Sequence, residues 1–103
     1  MSWIFLLFAG LLEIVWAVAM KQSAGFTRLW PTVVMGGAMV GSFGLLALAM
    51  RSLPLGTAYV LWTGIGAVGA FLAGVMFLGE ALTPLRVIAA TLIVSGMVAM
   101  KLA

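Results

Sequence analysis

The sequence has no cysteine and no histidine, and only two acidic residues, Glu13 and Glu80, among its 103 positions. Without cysteine there are no disulfides, no thiolate nucleophile and no thiolate metal site. Without histidine the chain lacks the side chain that most often moves protons near neutral pH and most often ligates metals. No nucleophile–base pair and no metal-ligand set can be assembled from what remains, so an enzyme is not expected, nor a metal or other cofactor. Charge is scarce too: 7% of residues are charged and 66% are hydrophobic. A soluble domain carries about 25% charged residues, so this chain cannot cover a water-facing surface, and the bilayer must be its solvent. The net charge of +3 comes from five scattered bases against two acids. Nucleic-acid binding would want them clustered, and is not expected.

What the sequence does have is long apolar runs. Four spans of about twenty residues use roughly eighty positions and leave only tight connections. The spans are expected at about 3–20, 32–50, 57–78 and 85–100, as one all-α, four-helix transmembrane domain with no room for a soluble one. The first run is not expected to be a cleaved signal peptide, because it lacks a basic leader and carries an acid at its middle. Gly25 can end the first helix, and Pro31 suits a first helical turn. Thr83-Pro84 reads as the cap and first residue of the fourth helix. In the second span, Gly37-x-x-x-Gly41 is a small-x-x-x-small pattern that lets helices approach closely.

Glu13 is the residue around which the others are read. It lies about ten residues into the first span, where a carboxylate costs roughly 2.5–3.5 kcal/mol on insertion scales. Such an acid is expected to face the bundle interior or a wet cavity and to perform a function there. Its neighbours on a 3.6-residue helix include Ala9 and Gly10 one turn before and Trp16 one turn after. The small residues leave room for a ligand or partner helix, and the Trp16 indole has one N–H that a carboxylate can accept. Span two enters from the opposite side and places Ser42 at the same depth. Tyr59 and Trp62 share one face of span three, with Thr63 and Gly66 beside them. A hydroxyl, a phenol and two indoles around a single carboxylate suggest a cation site. A lone acid that binds either a proton or a cation, but not both, is the minimal machinery of exchange.

Gly64-Ile-Gly66-Ala-Val-Gly69 has the form of a dinucleotide fingerprint. It lies inside an apolar helix with no strand before it, so it reads instead as close packing, a kink or a hinge. The bases divide almost evenly between the two membrane sides: Arg51 and Lys101 on the side of the N-terminus, and Lys21, Arg28 and Arg86 on the other. Since Lys/Arg asymmetry orients membrane proteins, near balance suggests insertion in both directions. Two opposed copies would form an antiparallel pair, the counterpart of the inverted repeats that other transporters carry in one chain.

The run WAVAMKQSAGFTRLWP after Glu13 and GTAYVLWTGIGAVGA in span three, in a chain of this length, resemble the small multidrug resistance family over the full sequence. Trp16-Ala17, Trp62-Thr63-Gly64 and Gly79-Glu80 are similar to its guanidinium exporter branch. The resemblance implies an antiparallel, dual-topology homodimer in the bacterial inner membrane that exchanges protons for guanidinium-type cations. Glu13 would bind both proton and substrate, and Trp16, Ser42, Tyr59 and Trp62 would orient it, with Gly10 and Thr63 in support. Gly64, Gly66 and Gly69 would form the bend of span three, and Ala89 and Gly96 the dimer seam. The alternative is a broader exporter of quaternary-ammonium or aromatic cations on the same scaffold. A passive proton-ring subunit would want two spans rather than four.

Overall fold

Where no water reaches the backbone, each peptide group must find its partner within its own segment, and long apolar runs therefore become helices. The computed structural model describes residues 1–103 and consists of four helices: α1 Ser2–Gln22, α2 Leu29–Ala49, α3 Leu55–Phe77 and α4 Pro84–Leu102. All four are long and apolar enough to cross a membrane. At 1.5 Å per residue each reaches about 30 Å, the thickness of the hydrocarbon layer. The helices run past the expected spans at several ends. Helix α2, for example, starts at Leu29 and takes Trp30 and Pro31 into its first turn, where a missing N–H does no harm.

The turns are closed by short-range hydrogen bonds. After α1, the fully buried Ser23 hydroxyl donates to the Met20 carbonyl at 2.7 Å and accepts the Phe26 N–H at 3.1 Å. Gly25 has the expected positive φ of 73°, but its neighbours Ala24 and Phe26 share it at 50° and 68°. The Ser23 and Thr27 side-chain bonds hold this left-handed run in place. Before α4, Thr83 accepts the Arg86 N–H at 3.2 Å and Pro84 follows it as the first helical residue.

Helix α1 packs most extensively, against both α2 and α3, while the helix packing of α4 is against α3, with Lys101 reaching Trp3 of α1. The core lies toward one end of the bundle: Leu6 and Ala9 of α1, Leu46 and Ala49 of α2, and Ala58, Leu61 and Trp62 of α3. Near the other end, beyond Glu13, the helices part around a cavity between α1, α3 and α4. No residue of α4 is buried, and its hydroxyls need no partner helix, since Thr91 and Ser95 donate to carbonyls one turn back at 2.8 Å. Only 15 of 103 residues are buried, which leaves most of the apolar surface for lipid or a second chain.

Small residues set how closely the helices approach, but not all of those the sequence offers. A Cβ at Gly41 would meet Leu12 of α1 at 3.1 Å, whereas one at Gly37 would meet nothing. Only half of the Gly37-x-x-x-Gly41 pattern is therefore a contact within the chain. On α3 a Cβ at Gly69 would overlap the Ile14 side chain. Gly69→Val is thus expected to lower stability by about 1–3 kcal/mol through overpacking. Gly36→Ala, at a helical site with open space around it, should be neutral or stabilising by up to about 1 kcal/mol. Thermal unfolding in detergent, followed by circular dichroism, checks the order of the two variants.

Candidate functional site

Glu13 leaves α1 toward α3. A Cβ on Gly66 would overlap the Glu13 carboxylate, so the absence of a side chain at position 66 is what makes room for the acid between the two helices. One turn earlier, a Cβ on Gly10 would overlap Ile65 of α3, so the glycine that precedes Glu13 draws the helices together there. The carboxylate is half-buried, and its Oε2 is buried with no hydrogen-bond partner. The indole N–H of Trp16, one turn along α1, is likewise buried and unpartnered. Together they leave a strong acceptor and a donor free at one depth of the same helix, in a bundle that otherwise satisfies its buried side chains.

Ser42 and Trp62 are arranged differently from the sequence expectation. The fully buried Ser42 hydroxyl donates to the Ala9 carbonyl at 2.6 Å and accepts the Trp62 indole N–H at 2.9 Å. Both donors are therefore used, and neither reaches the carboxylate. Their effect on Glu13 runs through the backbone: they tie α2 and α3 to the α1 turn that ends at Glu13. A single serine proton cannot serve both Ala9 and Glu13, and sequence alone could not choose between them.

The aromatic rings line up beside this network. Trp16 meets Phe43 edge-on at 6.5 Å, Phe43 meets Trp62 at 5.6 Å, and Trp62 meets Tyr59 edge-on at 5.5 Å. Phe43 links the two tryptophans, a role its sequence position did not signal except through its place next to Ser42. Tyr59 and Thr63 are exposed and line a groove of about 490 Å³ between α3 and α4, together with Gly64 and Gly96. Neither bonds to Glu13 within the chain.

Helix α3 runs uninterrupted through Gly64, Gly66 and Gly69, which here act as contact points. Gly66 and Gly69 receive Glu13 and Ile14 of α1, and Gly64 receives Met97 of α4. Ala89 and Gly96 are exposed on α4, and a Cβ at Gly96 would meet no atom. The seam expected there is thus uncovered in the single chain.

Replacing Ser42 by alanine leaves the Trp62 N–H without its acceptor, at an expected cost of about 1–3 kcal/mol. The Ser42→Ala, Trp62→Phe double variant should lose less than the sum of the single losses, because the two side chains share one bond. A double-mutant cycle on thermal unfolding measures that coupling, and strict additivity would refute the bond.

Comparison with known proteins points in one direction. The family model described as Small Multidrug Resistance protein matches residues 1–93. A guanidinium exporter of Escherichia coli strain K12 is 56% identical over 102 residues, covering 99% of this chain and 97% of that protein. Guanidinium exporters of Citrobacter freundii and Salmonella typhimurium are 54% identical over the same lengths.

Proposed function

Because this chain belongs to the small multidrug resistance family, we propose that it exports guanidinium and small guanidinyl cations in exchange for protons, as an antiparallel homodimer. It is a multi-pass protein of the bacterial inner membrane. The observation that carries the reading is the Glu13 carboxylate, lodged against Gly66 with one oxygen left unpartnered. The names of the relatives, which are exporters of guanidinium, support the choice of substrate.

Guanidinium is planar and offers parallel N–H pairs that match the two oxygens of a carboxylate. Glu13 in its charged form receives the cation, and the protonated form releases it, because a neutral acid no longer holds a positive charge in low dielectric. One site that accepts either species, and never both together, couples the two flows. The Trp16 N–H cannot bond to a cation that has no acceptor, so its partner is the carboxylate itself: a turn of the Glu13 side chain lets the indole use a remaining lone pair of one oxygen while the substrate spans both. Cations without N–H donors forfeit these bonds and leave buried polar groups unpaired, which costs about 1–3 kcal/mol each and selects for guanidinium over tetraalkylammonium.

Two features of the fold support a pair of opposed copies. The near-even distribution of bases allows insertion in either direction, and α4, unburied and carrying Ala89 and Gly96 on its open surface, offers a close helix–helix seam. The pair would bring the exposed Tyr59 and Thr63 of each copy to a shared compartment with Glu13. One chain is tightly packed at one end and parted at the other. If the two copies interchange these shapes, the compartment opens alternately to the two membrane faces.

Glu13→Gln should abolish guanidinium-evoked current on a solid-supported membrane while the purified dimer remains intact, and a retained current would refute the assignment. In the same assay the unaltered protein should respond to guanidinium and not to tetraalkylammonium ions. A cysteine placed at Lys21 should be labelled from both sides of the membrane. Labelling from one side alone would refute dual insertion.

A further inference from the structure

The two ends of the bundle are tied differently. At the packed end, the Ser2 hydroxyl of α1 is hydrogen-bonded to the Ser52 hydroxyl in the turn before α3, and Lys101 of α4 lies 5.1 Å from the centre of the Trp3 ring. These contacts join the start of α1 to the α2–α3 turn and to the end of α4. At the parted end the charged groups stand apart. Lys21 at the end of α1, Glu80 in the turn after α3, and Arg86 in the first turn of α4 line one cavity of about 470 Å³ and form no ion pairs with one another. Glu80 is nonetheless held in a defined place. Leu78 and Glu80 both donate their backbone N–H to the Gly74 carbonyl, at 3.1 and 3.0 Å, and Gly79 between them has a φ of 69°. This left-handed turn folds Glu80 over the end of α3, where a Cβ on the buried Gly74 would overlap its carboxylate. Arg86 is occupied, since one of its guanidinium nitrogens donates to the Ala81 carbonyl at 3.1 Å. Lys21 is exposed and carries its charge on a flexible four-carbon stem.

We propose that Glu80 and Lys21 of one chain pair when this end closes, so that the protein trades the Lys101–Trp3 contact at one end for a Glu80–Lys21 ion pair at the other. The inference rests on the alternating antiparallel pair described above. In such a pair, the packed end of one copy shares a membrane face with the opposite end of its partner. To seal that face the partner must close the end that carries Glu80 and part the end that carries Trp3. The present structure is then one of two shapes, and a dimer holds one copy in each. Closure drives water from a cleft lined by Val18, Phe71 and Ile93, and a carboxylate left alone there would be costly. A base has to reach it. Arg86 leads the helix that follows Glu80 and is bound to the backbone between them, so pairing with it would draw no other helix inward. Lys21 belongs to α1, and its pairing with Glu80 pulls α1 against the α3–α4 turn. Both states of the dimer contain one contact of each kind and are equal in energy by symmetry. The contacts therefore hold whichever state is present without favouring either.

Lys21 and Lys101 are the only lysines of the chain, so nuclear magnetic resonance of isotope-labelled lysine reports on each end. The populations are read from signal intensities, or from the position of an averaged signal. In lipid bicelles the unaltered protein should place Lys101 equally in two environments, one of them shifted by the Trp3 ring. A single signal at the ring-shifted position, with every copy in one shape, would refute the alternating pair itself. The closing pair is tested separately in mixed dimers, made from labelled Glu80→Gln chain and an excess of unlabelled, unaltered chain. The altered copy cannot form the pair, so it should favour the shape described here by about threefold, the factor of a partly exposed ion pair. Labelled unaltered chain with an excess of unlabelled Glu80→Gln chain should show the reverse. Lys21→Gln should give the same bias as Glu80→Gln, and Arg86→Gln should give none. Exchanging the two charges within one copy, Glu80→Lys with Lys21→Glu, should restore equality. Equal populations in the mixed Glu80→Gln dimers, beside two equal environments in the unaltered protein, would overturn the closing pair and leave the exchange at Glu13 standing. An equal bias from Arg86→Gln would overturn it as well.

Discussion

An ionisable carboxyl group in the hydrocarbon layer has to be sheltered by the protein, and that single constraint organises this bundle. Glu13 is accommodated because α3 presents a glycine, Gly66, where any other residue would displace the acid. Gly10 and Gly69 let α1 and α3 approach on either side of it. The helix that carries the acid is also the one with the most extensive packing against its neighbours. Shelter and packing are thus one arrangement: the side chains missing from α1 and α3 make the space that Glu13 occupies.

The polar residues near Glu13 divide into two groups. Ser42 and Trp62 spend their donors on each other and on the Ala9 carbonyl, which joins α1, α2 and α3 at the level of the acid. A hydroxyl or indole left unpaired there would be costly, so these bonds stiffen the scaffold. The Glu13 Oε2 and the Trp16 N–H remain free. Unsatisfied buried groups are rare in folded proteins and call for an explanation, and the proposed exchange at Glu13 supplies one.

The uneven packing along the bundle has a similar logic. The core of Leu6, Ala9, Leu46, Ala49, Ala58, Leu61 and Trp62 closes one end. Alanines and glycines around Ala17, Ala67, Ala70 and Gly74 leave the other end open. Lys101 of α4 sits 5.1 Å from the centre of the Trp3 ring of α1, a cation–π contact that adds to the closure of the packed end. Helix α4, packed against α3 and otherwise held only by that contact, has no buried residue and the most surface to share.

Much of this was determined by the sequence. Four apolar runs with Gly, Pro and basic residues between them leave no alternative to helices in a bilayer, and Thr83-Pro84 marks the start of α4 by its own chemistry. One acid amid so many apolar residues singles out the candidate site, since its placement in the hydrocarbon layer is costly. Periodicity placed Ala9, Gly10 and Trp16 near it, because neighbours on one helix are set by its pitch. Tertiary structure decided what lies across from each helix. It gave the Ser42 proton to Ala9 rather than Glu13, made Phe43 the link between Trp16 and Trp62, and turned Gly37 outward while Gly41 met Leu12. It also laid Glu80 in the hollow at Gly74. The reason is geometric: the pitch of a helix fixes which residues share a face, but the rotation of one helix against another sets which faces meet, and a hydroxyl has only one proton to give.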